Sequence, residues 1–201
     1  MATSYDVAVL GAGPAGLAAT VAARASGARV ALVDAGARVG GQFWRHRDGD
    51  LHRERGTGHH HWPALRRLRA AVAGPDLLTG HAVWHVERTG AGFALHATTT
   101  VDGRETGREI RCRALVVATG AHDRQLPFPG WTLPGVYTAG GAQALLKGHG
   151  VAVGRRVGLP PRITTILQGE SLVNDATAIT AFRVALAATV GEGFSWASGI
   201  G

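Results

Sequence analysis

Cysteine is almost absent from this chain of 201 residues, which contains a single one, Cys112. One cysteine excludes internal disulfide bonds, C-x-x-C redox pairs and cysteine-rich zinc sites. The first residues, MATSYDVAVLG, also lack the basic segment and long apolar run of a secretory signal peptide. These absences are compatible with a reducing compartment, and we expect a cytoplasmic location.

Lysine is equally rare, because Lys147 is the one lysine among 21 basic residues. The net charge is +7, and the stretch from Arg45 to Arg69 contributes seven arginines against three acidic residues. It also contains five histidines, namely His46, His52, His59, His60 and His61. A nucleic-acid patch and a metal site are both possible functions, but aromatic interleaving and ligand spacing are lacking. The pattern therefore favours a solvated loop and helix face, with neither nucleic acid nor metal bound.

Glycine, in contrast, is abundant, with 30 residues, about twice its usual share. Such an excess indicates tight turns, or a backbone that approaches a ligand closely. The first 34 residues contain an apolar run at 5–10, an alanine-rich helical pattern at 14–26 and a second apolar run at 28–33. This order of patterns predicts a strand, a helix and a parallel strand, which together form a βαβ unit.

The next segments predict further elements of the same domain. A helix is expected over 63–73, and alternating patterns over 81–88, 92–100 and 108–113 predict a small antiparallel meander. Residues 114–118 predict a buried strand, 127–141 a loop, and about 140–147 a helix. The predicted fold class is therefore α/β, with a Rossmann-like domain of ββα layers and a small meander.

A glycine motif lies between the first strand and the first helix. Residues 11–16 read Gly-Ala-Gly-Pro-Ala-Gly, which is G-x-G-x-x-G in its dinucleotide-binding context. Gly11 permits the tight turn, Gly13 lets a pyrophosphate approach the helix start, and Gly16 lets the helix pack on the strand. Asp34 ends the second strand, where it is placed to accept hydrogen bonds from ribose hydroxyls. An acidic residue there argues against a 2′-phosphate, so the motif favours FAD or NAD over NADP.

Residues 5–157 resemble the two-dinucleotide-binding flavoproteins, in the amine- and opine-oxidising branch that includes the FAD subunit of hydrogen cyanide synthase. The segments that carry this resemblance are DVAVLGAGPAGLAA (6–19), VGGQFWRH (39–46), ALVVATGAHDRQLPFPGW (114–131) and LPGVYTAGGAQALLK (133–147). The resemblance implies an FAD-dependent oxidoreductase. It also implies that Gly11, Gly13 and Gly16 hold the FAD pyrophosphate and Asp34 the adenosine ribose.

Further contacts to FAD follow from the same resemblance. Pro14 and Ala15 lie within the pyrophosphate loop, Gly41 and Gln42 line the flavin side, and Val83 meets the adenine through its backbone. A second contact comes from Ala118, Thr119 and Gly120, and a further one near the isoalloxazine ring from Arg124. The implied reaction oxidises a C–N bond of a small amine or amino-acid derivative by hydride transfer to the flavin. A partner subunit is compatible with this branch, and no catalytic residue is predicted.

The flavoprotein resemblance ends near Val157. The second G-x-G-x-x-G and a late strand ending in Gly-Asp are not found in the 201 residues, so we expect an incomplete FAD-binding domain over 1–157. Residues 158–196 instead resemble the cation:proton antiporters, which implies that Asn174 and Asp175 bind the ion. Apolar positions over 163–190 predict a helical segment, the one part for which a membrane location is an alternative. We expect a helical tail over 158–201, and our hypothesis is a fusion of two truncated genes. Two alternative functions follow, namely a membrane cation:proton antiporter component that acts through Asp175 and a fusion product without function.

Overall fold

The computed structural model describes residues 3–50, 59 and 61–151. The chain divides into two compact units, the first ending at Gly120 and the second beginning at Ala121. The predicted domain boundary at residue 157 and the predicted antiporter-like segment, including Asn174 and Asp175, lie outside the described residues. None of the helices in the described part has the length and apolar character to cross a lipid bilayer.

The first unit begins with the predicted βαβ arrangement. Strand β1 (Thr3–Leu10) is followed by helix α1 (Pro14–Ala25) and strand β2 (Val30–Val33). The helix starts at Pro14 because proline at the first helical position has a preset φ and needs no hydrogen-bond acceptor. Strands β1 and β2 pair in parallel, with Val7 opposite Val30 and Leu10 opposite Val33. The α/β Rossmann-like prediction is confirmed.

The remaining elements of this unit lie between residues 62 and 117. They are helix α2 (Trp62–Val72) and strands β3 (Leu77–Leu78), β4 (His81–Thr89), β5 (Gly92–Val101) and β6 (Arg104–Val117). All six strands form one sheet in the order β3-β2-β1-β6-β5-β4. The predicted meander is confirmed as β4, β5 and the first half of β6, which pair antiparallel.

Two sequence predictions need correction in β6. The segments 108–113 and 114–118 were expected as separate strands, but they form one strand of 14 residues. Its first part pairs with β5 and its last part pairs in parallel with β1, and the two pairings overlap over residues 110–112. The second half was also expected to be buried, yet Val117 is 66% exposed. Among the described strands, β1 is its one neighbour beyond Cys112, so one flank of this segment has no strand beside it.

The sheet rolls up so that its antiparallel part covers its parallel part. Strands β3 and β4 are at opposite ends of the pairing order, which in a flat sheet would place them about 24 Å apart. Only Thr79 and Gly80 separate them, and the three steps from Leu78 to His81 span at most about 11 Å. The backbone N–H of His81 in fact donates to the Asp34 carbonyl at 2.9 Å.

Two apolar cores fill the resulting layers. Alternate residues of the parallel strands, such as Val9 and Leu32, pack with α1 and α2 in one core. Their neighbours, such as Ala8 and Val33, pack with Leu95 and the rest of the meander in the other. The layers therefore follow the order meander, parallel strands and helices, which is the predicted ββα layering. This layering arises because successive side chains of β1 and β2 point to opposite faces of the sheet.

The described part of the second unit contains one helix, α3 (Ala139–His149). Thr138 caps its start, because the hydroxyl oxygen accepts a hydrogen bond from the Gly141 N–H at 3.0 Å. Gly150 ends it in the left-handed conformation, with φ of +71°. The helix was predicted over 140–147 and extends one residue further at its start and two at its end.

Candidate dinucleotide-binding site

The motif at residues 11–16, here called the glycine turn, connects β1 to the first turn of α1. It has no room for a side chain at two of its glycines. A Cβ atom on Gly16 would lie 1.7 Å from the Gly11 carbonyl oxygen, and one on Gly11 would lie 2.3 Å from the Ala118 carbonyl oxygen. Gly11 also has a φ of +106°, which favours glycine. These two glycines therefore let the start of α1 pack directly against β1 and against the end of β6.

The third glycine of the motif faces open space. Gly13 is the N-cap of α1, where no side chain caps the helix and no acidic residue lies in the first turn. The nearest atom to a Cβ on Gly13 would be the Gly41 Cα, at 4.0 Å. The first N–H groups of a helix have no partner within it, and the helix start carries a partial positive charge. This open helix start suits a pyrophosphate.

Asp34 lies at the carboxyl end of β2 and connects two loops of the site. One carboxylate oxygen accepts from the Ala12 N–H at 2.5 Å, and the other accepts from the Gly36 N–H at 2.6 Å. The side chain is half-buried beside the glycine turn. A carboxylate has about four lone-pair positions, so two remain for ribose hydroxyls after these two bonds.

A second pair of glycines, Gly40 and Gly41, packs against the glycine turn. Gly40 donates to the Ala12 carbonyl at 2.7 Å, and a Cβ on Gly41 would lie 3.0 Å from the Gly13 Cα. Both have positive φ, +119° at Gly40 and +58° at Gly41. Gly41 was a predicted site residue, whereas the role of Gly40 as a support for the loop was missed. The adjacent glycines in the sequence were the one signal available for it.

The second predicted contact lies beside the first. The Ala118 N–H donates to the Leu10 carbonyl at 2.8 Å, so β1 and β6 end side by side. Thr119 and Gly120 follow as exposed backbone, with φ of +75° at Gly120. The structure thus brings Ala118 to the glycine turn although more than 100 residues separate them in the sequence.

Three other predicted residues have different surroundings. Val83 is half-buried in β4, two residues beyond His81, which itself donates to the Asp34 carbonyl. The Gln42 side chain accepts from the Arg45 guanidinium at 3.0 Å on the exposed surface, so it is directed along its own loop. Arg124 is exposed in the second unit, before α3.

These observations fit a bound dinucleotide. One edge of the parallel sheet brings four features together. These are the end of β1, a turn without room for side chains, an open helix start, and the Asp34 carboxylate at the end of β2. A cavity of about 660 Å³ lies at the opposite end of these strands, where its lining includes Asp6, Ala28 and Arg113. None of the predicted site residues lines this cavity. The carboxyl edge is therefore the candidate site, as expected for open α/β sheets.

Comparisons with known proteins agree with this geometry. An opine oxidase subunit of Agrobacterium tumefaciens is 43% identical over 151 residues, covering 73% of this chain and 30% of its own length. The hydrogen cyanide synthase subunit HcnB of Pseudomonas protegens is 31% identical over 144 residues, covering 72% and 30%. The sarcosine oxidase alpha subunit of a Corynebacterium species is 32% identical over 211 aligned positions, covering 94% and 21%. The chain thus spans less than a third of the length of each of these relatives.

Among solved structures, L-proline dehydrogenase from P. horikoshii superposes with a TM-score of 0.61 and 24% identity. The match covers 75% of this chain and 30% of the other, and it shows the shared fold. These comparisons give no support to the antiporter resemblance predicted for 158–196.

The family assignment rests on most of the first unit and the start of the second. The sequence pattern of the pyridine nucleotide-disulphide oxidoreductases matches residues 5–154, about three quarters of the chain. This match includes the glycine turn, Asp34 and Ala118, and it indicates that the dinucleotide is FAD. The chain belongs to the pyridine nucleotide-disulphide oxidoreductase family.

Proposed function

We propose that this chain is the FAD-binding part of an oxidase that removes a hydride from a C–N bond of a small amine or amino-acid derivative. The observation that supports it best is the glycine turn, whose open helix start and adjacent Asp34 fit a dinucleotide. The named relatives add the substrate class, since they are an opine oxidase, a hydrogen cyanide synthase and a sarcosine oxidase.

The residues of the chain would have distinct roles toward the cofactor. Backbone N–H groups at the start of α1 would hold the pyrophosphate, and free lone pairs of Asp34 would accept from the adenosine ribose. Backbone groups at Val83 would meet the adenine, and those of Ala118–Gly120 would make the second contact. Gly41, Gln42 and Arg124 would lie on the flavin side. The supporting contacts, Gly40 to Ala12 and Ala12 to Asp34, orient the first loop.

When bound, FAD supplies the hydride acceptor of the reaction. The chain itself contributes binding and orientation, because its single cysteine, Cys112, is buried in β6 and cannot form a redox pair. Three of the relatives are named as subunits, so we propose that the substrate is oxidised in an assembly with a partner subunit.

The cofactor assignment is tested by titrating the purified chain with FAD and recording the flavin absorption and fluorescence. We expect saturable binding that is weakened by Gly13→Ala, which places a methyl group over the helix start. The matched control is Gly107→Ala. Gly107 lies in the meander, away from the glycine turn, and a Cβ there would meet nothing within 4 Å. A wild-type chain that binds no FAD would refute the proposed function.

The substrate class is tested separately on the FAD-loaded chain under anaerobic conditions. We expect opines or sarcosine to bleach the visible flavin band, and simple 2-hydroxy acids to leave it unchanged. The amine assignment would be refuted if dithionite reduced the flavin but none of these amines did, whether the chain was tested alone or with a partner subunit. That result would leave the FAD assignment standing.

A further inference from the structure

Backbone hydrogen bonds join the loop that begins at Asp34 to the connection between β3 and β4. The Asp34 N–H donates to the Leu78 carbonyl at 3.0 Å, and the His81 N–H donates to the Asp34 carbonyl at 2.9 Å. Between them, the Gly80 N–H donates to the Gly36 carbonyl at 2.9 Å. The position of the β3–β4 connection therefore determines where the Asp34 loop lies.

The same loop sets the orientation of the Asp34 carboxylate. One carboxylate oxygen accepts from the Gly36 N–H at 2.6 Å, and the other accepts from the Ala12 N–H of the glycine turn at 2.5 Å. If Gly36 moved, the carboxylate would turn with it, and so would the lone pairs that remain for a ribose. The β3–β4 connection thus controls the candidate ribose site through the Gly36 backbone.

The His81 side chain fixes this connection. His81 is buried, its Nδ1 lies 2.8 Å from the Thr79 carbonyl oxygen, and its Nε2 lies 3.2 Å from a guanidinium nitrogen of Arg108. A carbonyl oxygen can only accept and a guanidinium can only donate, so Nδ1 carries the hydrogen and Nε2 is the acceptor. The imidazole therefore ties the β3–β4 connection to β6, which lies two strands away from β4 in the sheet.

Arg108 is placed to serve this contact. It is half-buried and forms no salt bridge with any residue that the structure describes, whereas Arg111 on the same strand pairs with Glu109. No carboxylate in the described part of the chain therefore competes with His81 for the guanidinium as an ion-pair partner. Hydrogen bonds with a charged donor are stronger than those between neutral groups, so this contact is suited to hold the imidazole in place.

We propose that His81 and Arg108 are positioning residues for the adenosine ribose of the dinucleotide. They hold the β3–β4 connection, which holds Gly36, so that the Asp34 carboxylate presents its remaining lone pairs to the ribose hydroxyls. This inference rests on the proposed function, in which Asp34 accepts from that ribose. Neither side chain has to touch the cofactor. The expected effect of removing them is a loss of discrimination between ribose and deoxyribose, with pyrophosphate binding retained.

The test is calorimetric titration of the full chain with ADP and with 2′-deoxy-ADP, which differ in one hydroxyl that Asp34 would accept from. We expect the wild type to bind ADP about tenfold more tightly, because a hydrogen bond to a charged group is worth about that much. His81→Ala and Arg108→Met should each reduce this ratio to about threefold or less, with little change in the affinity for 2′-deoxy-ADP. The matched control is Arg104→Met, which removes the same charge from the exposed start of β6 and should keep the wild-type ratio.

The double variant His81→Ala/Arg108→Met adds a readout that general damage to the fold would not give. Its ratio should equal that of either single variant, because the two side chains act through one contact. If His81→Ala does not fold, as judged by circular dichroism, Arg108→Met and its control Arg104→Met decide the matter.

Three results would overturn the inference while the proposed function stands. The first is a chain that binds FAD but does not prefer ADP to 2′-deoxy-ADP, and the second is a wild-type ratio in Arg108→Met. The third is an equal loss of affinity for both nucleotides in that variant, because it would indicate damage to the whole site. A wild-type chain that binds neither FAD nor ADP would overturn the proposed function and this inference with it.

Discussion

Gly16→Ala is the substitution that brings an added Cβ closest to backbone atoms at the glycine turn. The added Cβ would lie 1.7 Å from the Gly11 carbonyl oxygen, and ordinary contact begins at 3.4 Å. The start of α1 must therefore move by about 1.7 Å away from β1, because the obstacle is backbone and cannot rotate aside.

The expected loss of stability is about 2–3 kcal/mol. Overpacking in a close-packed region costs about 1–3 kcal/mol, and here the relaxation moves a helix against the core that contains Leu17 and Val9. The higher helix propensity of alanine offsets at most about 1 kcal/mol of a larger gross cost. For a domain of this size, the net loss corresponds to a decrease in Tm of roughly 4–12 °C.

The assay is denaturant unfolding followed by circular dichroism, combined with FAD titration. Gly13→Ala is the informative comparison, because its Cβ would have no protein atom closer than 4.0 Å and its φ of −74° suits alanine. We expect Gly13→Ala to keep wild-type stability and to bind FAD at least about tenfold more weakly. Gly16→Ala should lose both stability and FAD affinity.

A Gly16→Ala chain with wild-type stability would refute the reasoning, since it would mean that α1 can move away from β1 at no cost. A Gly13→Ala chain with wild-type FAD affinity would refute the placement of the pyrophosphate at the helix start.

Three further predictions follow from single side chains. Asp34→Asn should lower the free energy of unfolding by about 1–2 kcal/mol and weaken FAD binding, because the amide nitrogen of asparagine cannot accept a hydrogen bond and either Ala12 or Gly36 loses its partner. Denaturant titration measures the first effect and FAD titration the second. Leu95→Ala should cost about 2–5 kcal/mol in the same unfolding assay, because Leu95 is fully buried between the meander and the parallel strands. Leu126→Ala, at a residue 65% exposed, should change stability by less than about 0.5 kcal/mol. Cys112 should react with a thiol reagent roughly tenfold more slowly in the native chain than in denaturant, because burial raises the pKa of its thiol and blocks access; equal rates would contradict its placement.

Local patterns in the sequence were sufficient to predict the β1–α1–β2 unit and its candidate site. The helix predicted over 14–26 is observed over Pro14–Ala25, and the glycine turn lies where its spacing placed it. Strand alternation in β4 and β5 also predicted the meander. These features depend on residues within a few positions of one another, and a turn or a strand face is set by such neighbours. The FAD assignment came from motif resemblance rather than from these patterns.

Other features depend on residues that are distant in the sequence, and only the tertiary structure shows them. The two residues of β3 are too short for any periodicity, and they form a strand because β2 provides hydrogen-bond partners. The exposure of Val117 depends on which segments pack over its face of the sheet, and its apolar side chain alone gives no information about them. The hydrogen bond between His81 and Arg108 likewise joins residues that are 27 positions apart in the sequence. Apolar and glycine patterns specify which face or turn a segment forms, whereas neighbours across the sheet decide what each face meets.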